Sequence, residues 1–141
     1  MLELKSDTSW VELGRLVVST EYDIVSVRQF IRYQAKLLQM GIVDQTRITT
    51  AVSELLRNMY NYAGGGEVLI ESGIVDEQLA MIVTCSDKGS GIENLELAMS
   101  DGYTSGTGMG YGLPGAKRLV DRFEIVTEIN EGTTVRLMKW K

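Results

Sequence analysis

The sequence predicts an α/β two-layer sandwich, an α+β arrangement in which helices cover one face of a mixed, mostly antiparallel sheet. Three observations predict it. Apolar residues recur at helical spacing over 23–40 and again over 44–62. Four strand-like runs beyond residue 66 fall into two pairs, each joined by a short turn. The 141 residues, 44% of them hydrophobic, suffice for one domain with a real core and are too few for two, so a single domain over 1–141 is expected.

Taken in order, residues 2–8 and 10–18 alternate loosely and predict two strands in an edge hairpin, with Gly14 as a bulge. From Asp23 to Met40 the positions Ile24, Val27, Phe30, Ile31, Leu37, Leu38 and Met40 keep helical spacing, and Gly41 stands where a glycine would end the helix. Asp44 is placed to cap a second helix running to about Tyr62, whose stripe is Ile48, Ala51, Val52, Leu55, Leu56 and Met59. With about 100° per residue and Ile48 at zero, Glu54, Asn58 and Asn61 lie near about 240°, 280° and 220°. They form a polar strip along the edge of the buried face, suited either to a solvated flank or to a ligand.

Gly64-Gly65-Gly66 ends that helix. Residues 67–75 and 78–87 then form a hairpin around Asp76-Glu77, and period two puts Met81, Val83, Cys85 and Asp87 on one face. If that face meets the helices, Asp87 points into the layer where Glu54 and Asn58 project. Glu93 to Ser100 allows one or two helical turns, and 101–112, rich in glycine, serine and threonine with no apolar period, reads as a mobile lid. A helix from Leu113, with Pro114 in its first turn, and strands 123–129 and 133–138 around Asn130-Glu131-Gly132 complete the chain.

Composition removes whole classes of function. A net charge of −5 argues against a nucleic-acid partner, which needs basic patches to neutralise phosphates. No apolar run approaches the roughly 20 residues that span a bilayer, so no membrane role and a cytoplasmic location are expected. The absence of histidine removes the commonest acid–base group, a histidine phospho-acceptor in cis and the usual zinc ligands. Cys85, the one cysteine, lies inside a strand and reads as a small core residue.

Two glycine-rich segments carry the chemistry. Asp87-Lys88-Gly89-Ser90-Gly91 follows a buried strand, so a carboxylate stands at a strand end where the backbone can turn and approach a ligand. Gly106-Thr107-Gly108-Met109-Gly110-Tyr111-Gly112 runs into the helix at Leu113, giving a pliable arch followed by unpaired helix N–H groups, a setting for phosphate. Gly110-x-Gly112-x-x-Gly115 matches the dinucleotide fingerprint by count, but no strand precedes it, and no P-loop is present.

In order, Glu54-x-x-x-Asn58, Asp87-x-Gly89-x-Gly91, the four alternating glycines 106–112 and Gly132-Thr133-Thr134 resemble the N, G1 and G2 boxes and closing Gly-Thr of the GHKL (Bergerat-fold) ATP-binding superfamily. The stand-alone module, lacking histidine, is similar to the anti-sigma-factor type of serine protein kinase. The Ser53–Asn58 box and the run from Leu95 to Leu119 resemble most the RsbT group, the switch kinases of the bacterial stressosome.

The resemblance implies an ATP-dependent serine/threonine kinase with ATP and Mg²⁺ between the layers. Its substrates would be STAS-domain proteins of a stressosome-like module, and its release would activate a downstream regulator such as a phosphatase. An anti-sigma factor that binds sigma directly, or a non-catalytic ATP-binding module, remains the alternative. By the same resemblance Asp87 would accept the adenine amino proton, with Gly89, Gly91 and Thr133 supporting that end. Asn58 would hold Mg²⁺, Glu54 would be the general base, and Gly106, Thr107, Gly108, Met109, Gly110, Tyr111, Gly112 and Leu113 would cradle the phosphates. From Ile92 to Met109 there is no lysine or arginine, so positive charge at the γ-phosphate must come from Mg²⁺ or from Arg57, Lys88 or Lys117.

Overall fold

The longest apolar stripe in the sequence sets the architecture. A computed structural model describes residues 10–100 and 112–141. In it Ile48, Ala51, Val52, Leu55, Leu56 and Met59 are at most 3% exposed, on a helix running from Ile42 to Ala63. Each large member contributes about 2 kcal/mol by leaving water, and Leu56→Ala would cost about 2–5 kcal/mol.

Five strands and four helices are described. In chain order they are β1 (Trp10–Val18), α1 (Glu21–Leu37), α2 (Ile42–Ala63), β2 (Gly66–Val75), β3 (Gln78–Ser86), α3 (Leu95–Ala98), α4 (Leu113–Leu119), β4 (Arg122–Glu128) and β5 (Gly132–Trp140). The sheet order is β1-β2-β3-β5-β4, and all four pairings are antiparallel. The mixed character expected of the sheet takes another form. β3 and β4 both run against β5, so they point the same way, but β5 separates them and no parallel ladder forms. The end of β3 faces α2, where Asp87 lines one cleft with Asn58 and Met59.

The two-layer expectation holds. Ile24, Val27, Ile31 and Ala35 of α1 join the α2 stripe and Val68, Ile70, Met81, Val83, Cys85, Val135 and Leu137 of the sheet in one core. A smaller cluster of Val75, Ala80, Ile82 and Met138 forms apart from it, flanked by Trp10 and Trp140. The β1–β2 register shifts between Glu12 and Gly14, which is the bulge expected at Gly14.

The strand expected over 2–8, and all but Gly112 of the lid expected over 101–112, lie outside the described residues. Two boundaries differ from the sequence expectations. α1 stops at Leu37 and not at Gly41, because Gln39 takes the left-handed turn with φ 65° and Met40 N donates to Ala35 O at 3.0 Å. Gly41 instead starts α2 without a side-chain cap, and Asp44 lies within the first turn. The Asp44 carboxylate is drawn to Lys139 Nζ at 3.3 Å. That ammonium is 7% exposed and is also held by Asp121 at 3.0 Å, since a buried lysine needs counter-charge more than a solvated helix end needs a cap.

Candidate functional site

β3 delivers Asp87 to the site. Asp87 N donates to Thr133 O at 2.9 Å, one residue beyond the last β3–β5 pair, so the backbone is fixed as the strand ends. Its Oδ1 then accepts from Gly89 N at 2.9 Å and from Thr133 N at 3.2 Å. Two backbone donors on one oxygen lock the carboxylate and leave Oδ2 without a donor among the described residues.

The loop after β3 and the β4–β5 turn interlock. Gly91, at φ 80°, faces Glu128 O, and Gly132, at φ 114°, faces Asp87 O; a Cβ at either position would collide with that backbone. Asn130 N donates to Ser90 O at 2.8 Å across the same seam. Thr127 Oγ1 accepts from Ile92 N at 2.8 Å and shares a hydrogen bond with Thr133 Oγ1, also 2.8 Å. Thr127 is the residue that sequence reasoning missed. The signal was present, because centring the last hairpin on Asn130 places Thr127 opposite Thr133.

Between these loops and α2 lies a cleft whose open space, mouth included, is about 490 Å³. Leu55, Met59, Ile92, Leu113 and Val135 give it apolar walls, while Asn58, Asp87 and Thr133 supply its polar groups. Cys85 lies beneath Asp87, fully buried, and burial together with the Asp87 charge pushes its thiol up to about 12. The thiol therefore stays protonated and inert at neutral pH, as a small core residue should. Apolar walls with one open carboxylate oxygen suit a flat heterocycle bearing an exocyclic N–H donor.

The other end of the cleft is built differently. Glu54, one turn before Asn58 on α2, pairs with Arg57 Nη1 at 2.8 Å, both side chains being partly solvated. A Cβ on Gly112 would come within 2.6 Å of Glu54 Oε2, so the backbone entering α4 lies against that carboxylate. Leu113, 1% exposed, anchors this approach in the core.

The structure thus gathers Asn58, Asp87, Gly89, Gly91, Leu113 and Thr133 around one cleft, with Glu54 and Gly112 together at its end. Asn61 is exposed and does not join them, so the polar strip expected on α2 reduces to Glu54 and Asn58. Gly106, Thr107, Gly108, Met109, Gly110 and Tyr111 lie outside the described residues. Of the three cations suggested for the γ-phosphate, Arg57 is engaged by Glu54, Lys88 lines a neighbouring depression with Glu67 and Glu131, and Lys117 is exposed on α4. No group of three metal-ligating carboxylates or thiols occurs among the described residues. A metal held by one amide oxygen and a ligand's phosphates needs no such cluster.

Comparison with known proteins agrees with this geometry. Residues 43–141 match the family described as histidine kinase-, DNA gyrase B-, and HSP90-like ATPase. The chain is 45% identical over 123 residues to the serine/threonine-protein kinase RsbT of Bacillus subtilis (strain 168), covering 87% of this chain and 92% of that one. It is also 35% identical over 124 residues to the anti-sigma F factor of Clostridium perfringens (strain SM101 / Type A), covering 82% and 83%. The anti-sigma F factor of Bacillus cereus (strain G9842) is 29% identical over 104 residues.

Proposed function

Because the chain belongs to the histidine kinase-, DNA gyrase B- and HSP90-like ATPase family, we propose that it is an ATP-dependent serine/threonine protein kinase of a bacterial partner-switching circuit. The observation that carries this is the placement on one helix of Asn58, lining the cleft, and Glu54, one turn earlier at the cleft's end against Gly112.

Asp87 Oδ2 accepts a hydrogen bond from the adenine amine, while Thr133 and the interlocked glycines hold that carboxylate still. Asn58 would offer its amide oxygen to Mg²⁺, and the ion would supply neutralisation of the phosphate charge. By the same reading, Gly106 to Leu113 would cradle the phosphates. Glu54 receives the proton of a serine or threonine hydroxyl as that oxygen bonds to the γ-phosphorus; the bond to the β–γ bridging oxygen breaks and ADP leaves. Arg57 holds the Glu54 carboxylate in position at 2.8 Å.

The substrates are STAS-domain proteins of a stressosome-like assembly in the cytoplasm. Phosphorylation releases the kinase to activate a downstream regulator such as a phosphatase. Direct binding of a sigma factor is the second possibility, favoured by the anti-sigma F relatives. Incubation with γ-labelled ATP, Mg²⁺ and a STAS-domain partner tests the kinase. Label on a partner serine or threonine is expected, and its absence with intact nucleotide binding would point to a non-catalytic module. Co-purification with a sigma factor would identify the anti-sigma alternative.

A further inference from the structure

Helix α1 has a second face that the core does not use. With Ile24 at zero and about 100° per residue, the buried Ile24, Val27, Ile31 and Ala35 centre near about 345°, while Arg32, Val25, Lys36, Gln29, Tyr22 and Tyr33 span about 80–180°. The hydrophobic members of that second face stay in solvent: Tyr22 is 77% exposed, Val25 43% and Tyr33 59%. At its C-terminal end the face meets the first turn of α2, where Ile42 is 73% exposed, and Gln29, Arg32, Tyr33, Lys36, Ile42 and Gln45 line a shallow groove.

Beyond the first turn of α1, which carries Glu21 and Asp23, charge on this face is one-sided. The protein has 19 acidic residues against 14 basic, yet residues 24–43 contain no Asp or Glu while Arg28, Arg32 and Lys36 follow at i, i+4, i+8. None of these three cations has a salt bridge among the described residues. Exposed aromatic and aliphatic groups beside unpaired guanidinium and ammonium groups make a surface that an acidic protein segment complements. Three cations on an acidic protein are too few for a nucleic-acid site, which neutralises many phosphates.

We propose that the outward face of α1, with the first turn of α2, is a docking surface for an acidic amphipathic segment of a protein partner. Gln45 and Asn58 lie thirteen residues apart on α2, about 20 Å along the helix axis, so the segment binds away from the cleft. It tethers its owner without entering the site, and the surface stands independently of the kinase chemistry.

The test uses the full chain, isotope-labelled, titrated with a synthetic helical peptide carrying glutamates at i, i+4, i+8 beside leucine and tyrosine. Amide shifts confined to residues 22–45 are expected, with affinity falling as salt rises. Arg32→Glu with Lys36→Glu should weaken the peptide by about tenfold or more. The same double variant should gain affinity for a peptide with lysine in place of glutamate, and should keep the parental circular dichroism and Mg·ATP affinity. Absent or scattered shifts, or a double variant that binds the acidic peptide as the parent does, would overturn the proposal. So would a single-stranded oligonucleotide or phosphatidylserine vesicles shifting the same amides equally, which would mark a general polyanion surface.

Discussion

The two ends of the cleft are held by different means. At the Asp87 end, the carboxylate is fixed by two backbone N–H groups, and the loops around it are joined by Asn130–Ser90, Thr127–Ile92 and Thr127–Thr133 hydrogen bonds. At the Glu54 end, the carboxylate is held by one side-chain ion pair, between groups that are 38% and 51% exposed, against a single backbone approach at Gly112. Exposed pairs of that kind contribute little to stability, so Glu54 is free to exchange partners at low cost. In the proposed mechanism, recognition would rest on the hydrogen-bonded sheet end and proton transfer on a solvated helix edge that an incoming hydroxyl can reach.

The difference is tested most strongly at Glu54. Glu54→Gln keeps the size and the helix, so phosphoryl transfer should fall by about 10²–10⁴-fold while Mg·ATP affinity stays near parental. Transfer at the parental rate would remove Glu54 from proton transfer. Asn58→Ala should lower both quantities, each by about one to two orders of magnitude, because a metal's protein oxygen serves ground state and transition state alike. Circular dichroism of both variants controls for folding damage.

Smaller effects sharpen the account of the rigid end. Thr127→Val keeps the shape but leaves the Ile92 N–H without its acceptor, a loss of about 1–3 kcal/mol that should appear as weaker nucleotide binding and faster amide exchange at Ile92. Unchanged exchange would mean that the hydroxyl bridge does not hold the loop. A last effect, seen only in alkali, concerns Cys85. The folded thiol titrates near about 12 and the free thiol near 9.0, so its contribution is complete below pH 9 and is lost as pH rises from there toward 12. Denaturation midpoints of the parent should decline above pH 9 more steeply than those of Cys85→Ala, and thiol reagents should leave the folded protein unlabelled at neutral pH.

Much of this was legible in the sequence because the deciding signals are local. The α2 stripe, the left-handed Gly64 after it and the Asp76-Glu77 turn are read from spacing and turn chemistry, and the bulge at Gly14 from one glycine in a strand. What failed was decided at long range. Asp44 left its capping role for Lys139, 95 positions away, and α1 ended early because the chain turned at Gln39, a residue that carries no turn signal. Thr127 went unnoticed because its importance arises only when β4 and β5 are paired in register.

A single calorimetric titration bears most directly on the cleft as an adenine site. Mg·ATP is titrated into the parent and into Asp87→Asn, a change that keeps shape but presents an N–H₂ where Oδ2 offered a free acceptor. The parent should bind, and the variant should bind about ten- to a hundredfold more weakly, the worth of one mismatched buried hydrogen bond. Equal affinity in the two proteins would contradict the role given to Asp87 and, with it, the placement of adenine at the rigid end.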